Sequence, residues 1–132
     1  EIADFSNMIE QLYQHYVPLC HPEVEINLLG FSQGTATQVR WIMRSFPKFH
    51  RLILWAGQLH DDLNYQPHLE YFADKKLFYA YGAADPLITP KRLAFMEKVI
   101  ADSGLTFTQI PFAGEHKVQK EALVEWWQTQ NS

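Results

Sequence analysis

Glu25-Ile26-Asn27-Leu28-Leu29-Gly30-Phe31-Ser32-Gln33-Gly34 decides how the rest of the chain is read. Val24 to Leu29 reads as a short buried strand, because leucine and β-branched residues run together with little alternation. It enters Gly-x-Ser-x-Gly, and a segment with helical spacing follows at once. A strand, a tight glycine turn and a helix in that order lift a serine hydroxyl out of a sheet edge. Gly30 and Gly34 stand where such a turn is expected to crowd any side chain, and Ser32 itself is expected to carry the backbone strain. The N–H of Gln33, opening the helix, is expected to face negative charge that develops beside the serine. The pentapeptide is short, so its weight depends on what the chain places around it.

Upstream, Ile2, Phe5, Ile9, Leu12, Tyr16 and Leu19 fall at steps of three and four. That spacing predicts an amphipathic helix with one buried face, closed by Pro18 and His21-Pro22. Downstream, Thr35 to Phe46 carries Val39, Ile42, Met43 and Phe46 at helical spacing, and Pro47 ends it. Arg51 to Trp55 is a second strand, followed by Ala56-Gly57 and a polar connection of about 18 residues, with a short helix expected around Pro67 to Phe72. Lys76 to Tyr81 is a third strand. Thr89-Pro90 predicts a capped helix start and Gly104 its end. Thr106 to Pro111 is a fourth strand, and Lys120 to Gln128 a last helix.

Strands alternating with helices predict right-handed crossovers and a parallel sheet covered on both faces. The 132 residues are one domain's worth, with no repeat or dividing linker. A net charge of −4 and no basic run argue against nucleic acid or an anionic membrane as partner. No apolar run is long enough to span a bilayer. Cys20 is the single cysteine, so no disulfide forms within the chain, which fits a cytoplasmic setting.

In a parallel sheet, ligands gather at the carboxyl ends of the strands. There the first strand delivers Ser32, the third Gly82-Ala83-Ala84-Asp85-Pro86, and the fourth Ala113-Gly114-Glu115-His116. A hydroxyl, a carboxylate and an imidazole therefore arrive on one edge. A serine hydroxyl needs an adjacent base, and a carboxylate fixes the tautomer of that base. Asp74 is the other carboxylate to weigh against Asp85. His60, Asp61, Asp62 and His68 lack metal-ligand spacing and read as a solvated loop.

Gly30-Phe31-Ser32-Gln33-Gly34, Tyr81 to Pro90 and Gly114-Glu115-His116 together resemble the α/β-hydrolase superfamily. The Phe-Ser-Gln turn is similar to its carboxylesterase/phospholipase branch, which includes acyl-protein thioesterases. The resemblance implies a serine hydrolase that cleaves carboxylic ester or thioester bonds of a small-molecule substrate, through an acyl-enzyme and without cofactor or metal. It implies Ser32 as nucleophile, Asp85 as triad acid, His116 as base and the Gln33 amide as one oxyanion donor. Ala56-Gly57-Gln58-Leu59 is similar to the branch's Ser-Gly-x-Leu loop, so Gly57 and Leu59, with Leu87, are expected to border the acyl pocket. Thr35 and Tyr81 depart from the branch, which often has Gly and His there.

The superfamily fold has about eight strands, and this chain supplies the last four. The expectation is therefore the C-terminal part of an α/β hydrolase, one incomplete domain over residues 1–132 whose N-terminal strands and second oxyanion donor lie elsewhere. Alone, such a chain is expected to be a poor catalyst. The Val24 to Leu29 strand becomes an apolar edge, expected to pair with another chain or with the missing N-terminal segment. Two other readings stand beside the esterase. One is a different chemistry on the same scaffold, such as peptide or lactone cleavage; the other is a non-catalytic interaction protein.

Overall fold

Arg51 to Trp55 is buried at every position, as befits a strand with a neighbour on each side and helices on each face. The computed structural model describes residues 2–131, and of residues 2–4 the backbone alone. Four strands, β1 (Asn27–Phe31), β2 (Arg51–Trp55), β3 (Lys76–Gly82) and β4 (Thr108–Phe112), form one parallel sheet in chain order. Asn27 pairs with Arg51, Arg51 with Lys76 and Phe78 with Thr108, so all four carboxyl ends share one edge.

The helices are α1 (Ile2–Tyr16), α2 (Gly34–Ser45), α3 (Leu69–Phe72), α4 (Pro90–Ser103) and α5 (Lys120–Gln130). Alternation along the strands sends Leu52, Leu54, Leu77 and Tyr79 to one face, where they meet Trp41 and Ile42 of α2, Phe72 of α3 and Met96 of α4. Ile53, Trp55, Phe78 and Ala80 turn to the other face and pack on Ala122 and Trp126 of α5. The expected sheet with helices on both faces is present. The start of α4 follows its sequence signal: Thr89 Oγ1 accepts from Arg92 N–H, Pro90 takes the first helical position, and Gly104 ends the helix at φ 81°.

Two expectations need correction. The first strand runs Asn27–Phe31 rather than from Val24, because Ile26 N–H donates to the His50 ring at 2.9 Å and the parallel register begins one residue later. As expected of an apolar edge, β1 lies at the end of the sheet, and Leu29 and Phe31 are 39% and 37% exposed. The apolar face of α1 is likewise mostly open, with Phe5, Leu12 and Tyr16 exposed, as is Leu19 just beyond it. Its apolar contact with the body runs through Ile9 and Tyr13, and α2 lies beside it. The side chain of Ile2 lies outside the described residues.

Candidate active site

Ser32 leaves β1 at φ 54°, a left-handed conformation costly for a residue with a Cβ. Three hydrogen bonds hold it there. Its N–H donates to the Trp55 carbonyl at 2.8 Å, and its own carbonyl accepts from Thr35 N–H at 3.1 Å and Thr35 Oγ1 at 2.7 Å. Gly30 is sterically required, since a Cβ there would sit 2.8 Å from the Gly34 carbonyl oxygen and 2.9 Å from Thr35 Cα. Gly34 is not: nothing lies within 4 Å of where its Cβ would be, and the expected crowding at that position is absent.

His116 links the other two groups. Its Nε2 lies 3.0 Å from Ser32 Oγ, and its Nδ1 lies 2.6 Å from Asp85 Oδ2. The Asp85 carboxylate is 0% exposed, and its Oδ1 accepts from Leu87 N–H at 2.8 Å. A buried carboxylate can only accept from the imidazole, so Nδ1 carries the proton and Nε2 is left to accept from the serine hydroxyl. Asp74, the rival carboxylate, is 84% exposed and paired with Lys75, whose hydrogen bond holds it below the usual aspartate range.

The loops that carry the acid and the base are zipped together. Ala83 N–H donates to the Phe112 carbonyl and Ala84 N–H to that of Gly114, both at 2.8 Å. A Cβ on Gly82 would lie 2.2 Å from the Gly114 carbonyl oxygen, so this approach needs a bare glycine. The fully buried Trp55 donates its indole N–H to the Lys117 carbonyl at 2.8 Å, and the Phe31 ring lies 5.1 Å from the imidazole.

No family profile matches the sequence, and no curated protein matches it. Solved structures do. Acyl-protein thioesterase 2 of Zea mays superposes with a TM-score of 0.63 at 16% identity, over 98% of this chain and 62% of that one. SOBER1 of Arabidopsis thaliana gives 0.64 at 14% identity, over 98% and 61%. A Klebsiella pneumoniae protein provisionally assigned as a dienelactone hydrolase gives 0.60 at 15% identity, over 98% and 57%. The fold is that of the α/β hydrolases. This chain spans about three fifths of the length of these three matches, and supplies four strands with their helices.

On this α/β-hydrolase edge, a cavity of about 300 Å³ opens beside Ser32 and His116. Gln33, Gly57 and Leu87 line it, so these three expected residues are brought to the serine. Leu59 is not. It is 3% exposed and packed in the core under α2, so it does not border the cavity. Gln33 immediately precedes the first turn of α2, where main-chain N–H groups have no partner within the helix.

His60, Asp61 and Asp62 offer ligand atoms within 4.8 Å of one another. Arg40 already fills the cluster: its Nη2 lies 2.9 Å from Asp62 Oδ2 and 3.3 Å from the His60 ring. That hydrogen bond, first among several causes, holds Asp62 below the usual aspartate range. A resident guanidinium opposes a metal ion there. His68 lies against Phe46 instead, with tilted rings whose centroids are 4.8 Å apart.

Three residues at the site were missed in the sequence. Thr35 and Arg92 line the cavity, and Trp55 braces both the serine and the histidine loop. Trp55 carried one usable signal, its place directly before Ala-Gly at a strand end.

Proposed function

We propose that Ser32, His116 and Asp85 form the catalytic triad of a serine hydrolase acting on carboxylic esters or thioesters. The hydrogen-bonded chain Asp85–His116–Ser32 carries this reading, because it joins three side chains from three different strand ends in the order nucleophilic catalysis needs. Ser32 Oγ attacks the substrate carbonyl carbon while His116 Nε2 takes its proton. The tetrahedral oxyanion is met by the Gln33 N–H. Collapse breaks the bond to the alcohol or thiol, which leaves with the proton from His116, and the acyl group stays on Ser32 as an ester. Water, deprotonated by His116, then releases the acid and restores the serine.

The activity belongs to the whole fold. Removing one of two oxyanion donors typically lowers turnover by about 10²- to 10³-fold, and the second donor is assigned to the part of the fold outside these four strands. The open edge of β1, with Leu29 and Phe31 exposed, is where a further strand would add, from that remainder or from another chain. Lactone cleavage, the activity in the name of the Klebsiella pneumoniae match, would run on the same triad, whereas peptide cleavage has no observation in its favour over ester cleavage. An interaction role is disfavoured by the engaged Ser32–His116 pair, which binding alone does not require.

The test is hydrolysis of short 4-nitrophenyl esters by the full chain and by Ser32→Ala. Turnover that falls by about 10⁴-fold or more in the variant supports the assignment. Turnover that survives the substitution removes it.

A further inference from the structure

We infer that the cavity beside Ser32 selects small esters bearing a carboxylate, and that Arg92 is the residue that binds this group. The inference rests on the Ser32 reading above and adds to it a substrate class. Arg92 lies in the first turn of α4, where its N–H donates to Thr89 Oγ1 at 3.1 Å. That capped turn follows the Asp85 loop directly and brings Arg92 to the wall of the cavity shared by Ser32 and His116.

Among the described residues, no carboxylate compensates the charge at this wall. Among the described residues lining the cavity, Arg92 is the one permanently charged side chain, and none is a carboxylate. Its guanidinium makes no hydrogen bond or ion pair with any described residue, whereas Arg40 is paired with Asp62 and Arg51 with Glu25. Asp85 is committed elsewhere, since its two oxygens are held by Leu87 N–H and by His116. The chain as a whole carries a net charge of −4, so a lone cation in the site is not a sample of a generally basic surface.

A guanidinium matches a planar carboxylate with two parallel hydrogen bonds. One fixed positive charge suits a monoanion better than a phosphate dianion. Ala56, Leu87 and Ile88 give the cavity an apolar wall for a short carbon chain. The volume of about 300 Å³ lies at the small end of ligand pockets. A half-ester of a short dicarboxylic acid has this combination: an ester carbonyl for Ser32, a few methylenes and a terminal carboxylate for Arg92.

The test compares the mono-4-nitrophenyl ester of glutaric acid with the same molecule capped as its methyl ester. In the full chain the free carboxylate is expected to raise kcat/KM by about 10- to 100-fold, the usual worth of a charge-assisted hydrogen bond. Arg92→Gln is expected to abolish that ratio through KM, and Arg92→Lys to keep part of it. A ratio near one in the parent, or a ratio that Arg92→Gln leaves unchanged, overturns the inference. If neither ester is turned over and Ser32 also takes no fluorophosphonate label, the Ser32 reading fails; in either case binding then decides the role of Arg92. Monomethyl glutarate titrated onto Ser32→Ala by calorimetry should bind saturably and lose affinity by at least about 10-fold on adding Arg92→Gln. No binding, or binding indifferent to Arg92, overturns it.

Discussion

The main-chain N–H of Ser32 donates to the carbonyl of Trp55 at 2.8 Å, and the indole of that tryptophan donates to Lys117, the residue after His116. One residue of β2 thus braces both: its main-chain carbonyl holds the strained serine, and its fully buried side chain holds the loop that carries the base. Trp55→Phe keeps an aromatic ring in the core but leaves the Lys117 carbonyl without its donor. Denaturant unfolding should show a loss of about 1–3 kcal/mol, from the smaller ring in the buried Trp55 site and the lost hydrogen bond. Ester turnover should fall with little change in KM, because the main effect is on the placement of His116.

Asp85→Asn preserves the shape of the site but offers His116 an amide, which can donate and so favours the wrong tautomer. Turnover should fall by about 10⁴-fold. The unfolding midpoint should move far less than turnover does, and parallel loss of both would assign Asp85 a structural role only.

The glycines flanking Ser32 should behave differently. Ala at position 30 meets backbone atoms at 2.8 and 2.9 Å, which cannot rotate away, so a loss of about 1–3 kcal/mol is expected. Ala at position 34 meets open space within a helix and should change stability by less than about 1 kcal/mol. Thermal melts of Gly30→Ala and Gly34→Ala check the contrast.

α1 is tied to the body by a carboxylate. Glu10 accepts from the indole N–H of the buried Trp41 and from Gln14, each at 2.8 Å, and the Trp41 bond is the main cause holding its pKa below the usual glutamate value. A carboxyl whose pKa is lower in the folded state adds stability above its unfolded pKa and loses it as pH falls through the folded one. Melting temperature should therefore drop as pH falls below about 4.3, and Glu10→Gln should flatten that part of the curve.

Much of this is legible in the sequence itself. β2 and α4 were readable to the residue, because Arg51 to Trp55 is a continuous apolar run after a polar connection, and Thr89-Pro90 and Gly104 punctuate the helix locally. The residues that meet at the site, Ser32, Asp85 and His116, could be placed on one sheet edge because parallel topology leaves few alternatives. What failed was whatever depends on neighbours. The apolar spacing of α1 says that a face exists to be covered but not whether this chain covers it, and here Phe5, Leu12 and Tyr16 stay exposed. Leu59 likewise follows a motif-like Gly57, yet its burial depends on how the loop turns after it. Trp55 and Arg92 act across the tertiary structure, through contacts that no local pattern encodes.

The most direct measurement is the site of covalent labelling by a fluorophosphonate in the full chain, read by peptide mass spectrometry. The expected result is a single adduct on Ser32, absent in Ser32→Ala and formed far more slowly in His116→Ala. A protein left unmodified, or one whose adduct lies on another residue, contradicts the assignment of Ser32 as a nucleophile activated by His116.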